Sequence, residues 1–103
     1  MVARGEVWWS EDPTLGRRPV VVLSRDAVLP ALSRPLVAPL TTTVRDLPTE
    51  VSLDTQDGLP RACVISLDNV QPISSALLVE RITVLDTARM HAVCRALEIA
   101  SGC

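Results

Sequence analysis

"ERITVLDTARMHAVCRALEIASG", residues Glu80–Gly102, decides the fold, because its periodicity changes part-way along. Glu80-Arg-Ile-Thr-Val-Leu85 reads as a last β-strand. Asp86 then stands where a helix N-cap belongs, its short carboxylate suited to an orphan backbone N–H. From Thr87 to Ser101 the spacing is helical: Met90, Val93, Cys94 and Leu97 fall at i, i+3, i+4 and i+7, one apolar stripe. His91, Arg95 and Glu98 share the opposite, wet face, and Gly102 stops the helix. A helix at this end of the chain can dock onto a finished sheet.

Everything upstream reads as strands and turns. Arg18-Pro-Val-Val-Val-Leu-Ser24 is the strongest strand, and its unbroken apolar run predicts burial on both faces, with Pro19 at the entry. Glu6–Ser10 precedes it, across a breaker-rich turn, Glu11–Gly16. Residues 25–34 predict a loop with a helical turn, and Leu36–Thr43 a third strand, which Pro39 places at an edge or a bulge. Thr49–Leu53 alternates, so one face is wet; Asp54–Gly58 has turn chemistry; Ala62–Leu67 is a buried strand that Asn69–Ile73 continues after a bend. The fold class is mainly β with a C-terminal α-helix, a small curled β-barrel of SH3-like type, and the strand–helix alternation of a Rossmann fold is missing. At 103 residues the chain is expected to form one domain, 1–103.

Composition excludes several functions. No apolar run approaches the length of a membrane span, and the first residues carry no export pattern, so a cytoplasmic protein is expected. Cys63, Cys94 and Cys103 show no metal-ligand spacing; the first two read as small buried apolar residues and the third as exposed. One histidine and scattered carboxylates leave no metal site or acid–base pair, so no metal and no cofactor is expected. There is no phosphate-cradling G-x-x-x-x-G-K-[ST] loop and no G-x-S-x-G nucleophile elbow. Net charge is −2, yet all ten basic residues are arginine, whose planar fork matches phosphate oxygens.

Two polar features sit at the ends of apolar strands, where a rigid element fixes their position. Arg17-Arg18 precedes Pro-Val-Val-Val, and Thr41-Thr-Thr43 follows Val-Ala-Pro-Leu. An arginine there can hold a phosphate, and a threonine hydroxyl can donate to it. The same threonines can equally continue a strand, and the residues alone leave both readings open. Trp8 and Trp9 could stack on bases, but alternation sends at least one inward, and core packing is expected of both.

"RRPVVVLS" (17–24) followed by "VAPLTTT" (37–43) resembles the MazF/PemK family of toxin endoribonucleases. "RGEVWWSEDP" (4–13), "LPTEVSL" (47–53), "VISLDNVQPI" (64–73) and the closing strand and helix are similar to the family's segments in the same order, so that the likeness spans residues 3–102. Asn69 stands where the family has Gln, and the loop before Arg18 is short and lacks a Ser-Glu-Gln segment, so substrate preference is open to change. The resemblance implies the SH3-like barrel, a homodimer, metal-independent cleavage of single-stranded RNA, and an antitoxin partner whose tail covers the RNA groove. It implies Arg18 and Thr41 as the catalytic pair. Beside them, Arg17, Thr42, Thr43, Arg45 and Asn69 are the candidate RNA contacts, and Arg25 a further source of the positive charge that an RNA groove needs. Rival readings are a gyrase-binding toxin of CcdB type, against which the closing Ser-Gly-Cys counts, a plain SH3-like interaction module, short of aromatics here, and a silent relative that binds antitoxin without cutting.

Overall fold

A computed structural model describes residues 1–103. The strands are β1 (Glu6–Ser10), β2 (Arg18–Val22), β3 (Leu36–Thr41), β4 (Glu50–Leu53), β5 (Cys63–Ser66), β6 (Gln71–Pro72) and β7 (Leu78–Val84), followed by α1 (Thr87–Ser101). They form one antiparallel sheet in the order β4-β5-β3-β2-β1-β7, with β6 also paired to β3. Its two end strands, β4 and β7, do not pair with each other, so the sheet curls into a barrel without closing.

β2 and β3 lie at the centre, and the apolar run of β2 explains why. Val21, with Val7 and Ala38, enters the larger core cluster, which α1 covers with Val93 and Ala96. Val20, Val22 and Val37 turn to the other face and pack with Leu29, Ile73 and Leu78. Each fully buried valine stabilises the fold by about 1.5–3 kcal/mol relative to exposure, so a strand apolar on both faces gains most in the middle.

Pro39 is not on an edge. It is buried and faces Val20 across the β2–β3 ladder. Leu23 N donates to Leu36 O, so the even-numbered residues of β3 turn their backbone groups to β2 and the odd-numbered ones turn away. On that far side β3 pairs with β6 at Leu36–Val37 and with β5 at Leu40–Thr41. Pro39 lies where one partner gives way to the other, so its missing N–H costs no ladder bond.

The helix follows its sequence signals. The Asp86 side chain accepts from Arg89 N at 2.8 Å, and Gly102, at φ 75°, donates to Glu98 O and Ile99 O. His91, Arg95 and Glu98 are exposed as expected. Cys94 is only half-buried and accepts from Arg4 Nη2 at 3.2 Å, whereas Cys63 is buried and Cys103 exposed. No helix is long and apolar enough to cross a membrane.

Candidate active site

The β2–β3 register pairs Val20 with Pro39, Val21 with Ala38 and Val22 with Val37. Continued by two residues, it sets Arg18 opposite Thr41. The Leu23–Leu36 hydrogen bond makes this a non-hydrogen-bonded pair, the kind whose Cα atoms approach to about 4.5 Å and whose side chains come closest. The arginine that opens β2 and the threonine that ends β3 therefore stand side by side.

Two grooves meet at this pair. The first, about 480 Å³, is lined by Trp9, Arg17, Pro19, Leu40, Thr42 and Leu59–Arg61, with Cys63 at its back. The second, about 420 Å³, is lined by Thr14, Thr43, Arg45, Glu50, Asp68 and Asn69, among others. Arg18 and Thr41 are the residues common to both walls. The grooves differ in charge. Arg17, Arg18 and Arg61 line the first, whose walls carry no carboxylate although Glu11 pairs with Arg17 from outside, whereas Arg18 and Arg45 share the second with Glu50 and Asp68.

Arg18 forms no ion pair, and its Nε is a buried donor without an acceptor. Thr41 Oγ1 accepts from Thr43 N at 3.1 Å, a local turn that leaves the hydroxyl its own proton to donate. A guanidinium fork and a hydroxyl brought to the same grooves from neighbouring strands suit a tetrahedral oxyanion. Burial pushes the Cys63 thiol up, so it is a neutral wall rather than a thiolate. No three His, Cys, Asp or Glu side chains converge as a metal site.

Each residue the sequence singled out for RNA reaches one of the grooves. Arg17 and Thr42 line the first; Thr43, Arg45 and Asn69 line the second. The Asn69 amide is oriented by donating to Ser66 Oγ at 2.8 Å. Arg25 lies beyond the far end of β2 from Arg18 and lines neither groove. Trp8 does pack against the smaller core cluster, its Nε1 donating to Glu6. Trp9 does not: it forms the wall of the first groove, with the Arg17 guanidinium 5.1 Å from its ring centroid and Glu11 holding Arg17 at 2.8 Å. Arg61 escaped sequence reading altogether. Its signal was topological: β5 pairs with the end of β3, Leu40 against Ile65, which carries the preceding loop to the mouth of the site.

The chain matches, over residues 3–100, the model of a family described as PemK-like, MazF-like toxins of type II toxin–antitoxin systems. The chain belongs to this toxin family. Among curated relatives of the toxin, "Probable endoribonuclease MazF5" of Mycobacterium tuberculosis is 55% identical over 98% of this chain and 94% of its own length. "Probable endoribonuclease MazF2" of the same species is 38% identical over 97% and 98%. Among solved structures, the Mycobacterium tuberculosis toxin MazF-mt6 superposes on the toxin with a TM-score of 0.87 at 36% identity, covering 94% of this chain and 96% of the other. A mycobacterial endoribonuclease in complex with its cognate antitoxin gives 0.89 at 26% identity, over 99% and 96%.

Proposed function

We propose that residues 1–103 form a single toxin domain that cleaves single-stranded RNA without a metal ion, Arg18 and Thr41 acting at the scissile phosphate. The observation that carries this reading is the unpartnered, buried Arg18 Nε beside the Thr41 hydroxyl, at the meeting of two grooves. A buried donor without an acceptor costs about 1–3 kcal/mol, an expense that makes sense where an anion supplies the acceptor.

The nucleophile is the RNA's own 2′-OH. Its oxygen bonds to the adjacent phosphorus as the P–O5′ bond breaks; the 2′ proton is lost and the departing 5′ oxygen gains one. The products are a 2′,3′-cyclic phosphate and a 5′-OH. The phosphorane carries extra negative charge, which Arg18 stabilises with charge-assisted hydrogen bonds. Thr41 holds a phosphate oxygen or aligns the 2′-OH. Arginine and threonine are both poor general bases, so their work is electrostatic and positional. Arg17 and Arg45 contact flanking phosphates from opposite grooves, Thr42 and Thr43 shape the walls, and Asn69 offers its amide to a base edge.

The toxin acts in the cytoplasm as a homodimer, inhibiting growth until a cognate antitoxin binds it. An acidic antitoxin tail fits the arginine-lined first groove by charge. The test is incubation of purified toxin with long single-stranded RNA in EDTA, with the product ends analysed. Cyclic phosphate and 5′-OH ends support the reading. Intact RNA with folded toxin, or products with other ends, overturns it.

A further inference from the structure

The first groove contains more than phosphate recognition needs. Trp9 takes no part in the core that holds Trp8, and the Arg17 guanidinium lies over its ring. Pro19, Leu40, Leu59 and Pro60 complete an apolar wall around the pair. Glu11 holds Arg17 from outside at 2.8 Å, and that carboxylate does not line the groove. A volume of about 480 Å³ falls within the range of small-molecule sites. Flat apolar surface with arginine at its margin is what an unstacked nucleobase and its phosphate require, because every base has a π-face and every linkage an anionic oxygen.

We infer that this groove is a stacking slot for one nucleobase next to the scissile phosphate, with the Trp9–Arg17 pair as its platform and Arg61 holding the neighbouring phosphate. The inference rests on the ribonuclease reading of Arg18 and Thr41, whose shared position fixes the occupant: a base bonded through its sugar to the phosphate held there. The slot lacks carboxylate and amide side chains, so it accepts any base. Selection between bases then falls to the second groove, where Asp68 and Asn69 present acceptor and donor groups.

The slot is tested with a Trp8→Phe toxin, whose only tryptophan is Trp9. The probes are a 5′-fluorescein RNA oligonucleotide with 2′-O-methyl groups throughout, which cannot be cleaved, and an abasic strand of equal charge. Binding is followed by fluorescein anisotropy and stacking by tryptophan emission. The base-bearing strand quenches Trp9 saturably; the abasic strand binds about tenfold more weakly and leaves emission unchanged. In the wild-type background Trp9→Ala weakens the base-bearing strand about tenfold and Trp9→Phe restores most of that loss. Binding with unchanged Trp9 emission, or equal quenching by both strands, overturns the slot. Cleavage of long RNA by wild-type toxin in parallel separates the two claims: cleavage without quenching overturns the slot alone, and its absence overturns the ribonuclease reading and the slot with it.

Discussion

Arg89 Nε donates to Asp57 Oδ1 at 3.0 Å, tying the first turn of α1 to the 3₁₀ turn Thr55–Asp57. Thr83 Oγ1 donates to the carbonyl of the same Asp57 at 3.0 Å. The loop Leu59–Arg61, a wall of the first groove, leaves directly from this anchored turn. Helix and groove are thus joined through one carboxylate, far in sequence from Arg18.

The Arg89 guanidinium holds the Asp57 carboxyl below the usual carboxylate range. A depressed folded pKa means the stabilisation is fully present above the unfolded value of about 3.9 and is lost as pH falls through the folded one. Asp57→Asn is expected to lower stability at pH 7 by about 1–2 kcal/mol, or roughly 4–15 °C in Tm for a domain of this size. Thermal unfolding of both proteins from pH 7 downward checks it: the gap narrows below pH ~4. A gap that widens there contradicts the pairing.

Gly58 follows that turn at φ 94°, and a Cβ added to it would collide with the Thr83 side chain at Oγ1 and Cβ. Gly58→Ala combines left-handed strain with a clash against an adjacent strand. The expected cost is about 1–3 kcal/mol in urea unfolding, with Leu59–Arg61 resonances displaced in an NMR spectrum. Neutral substitution would show that the turn relaxes freely.

Glu50 secures the other groove. Its carboxylate accepts from Arg45 N at 3.1 and 3.3 Å and from Leu47 N at 3.4 Å, folding the segment after Thr43 back onto β4. In Glu50→Ala the amides of Arg45 and Leu47 are expected to exchange with deuterium about tenfold faster, a loss of about 1.4 kcal/mol of local stability. Exchange at Val21 and Ile65, in the core, stays unchanged. Equal acceleration in both places would make Glu50 a global stabiliser rather than a loop fastener.

Much of this architecture was legible locally. The change of period at Asp86, the double-sided apolar run Val20–Val22 and the stop at Gly102 each act within a few residues, and each produced the element it announced. What needed the structure was relative placement. Pro39 suggested an edge because a proline in a central strand forfeits a bond, and only the change of partner from β6 to β5 reveals why it does not. Adjacent tryptophans had to face opposite ways, but nothing local tells which meets a core and which a groove. Arg61 follows no motif and reaches the site through pairing between β3 and β5. Arg25 offers the groove a further positive charge in sequence, yet the length of β2 separates it from the site. Arg18 and Thr41 were named by family resemblance; their cross-strand adjacency came from the register alone.

The most direct measurement is single-turnover cleavage of a single-stranded RNA in EDTA by wild-type toxin, Arg18→Ala, Arg18→Lys and Thr41→Ala, each verified as folded by circular dichroism. Wild type leaves 2′,3′-cyclic phosphate ends. Arg18→Ala and Thr41→Ala each slow cleavage by ~10²–10³, as loss of one preorganised donor does. Arg18→Lys recovers little, because an ammonium lacks the guanidinium fork. Folded Arg18→Ala or Thr41→Ala cutting at the wild-type rate would contradict the placement of the reaction between these two strands.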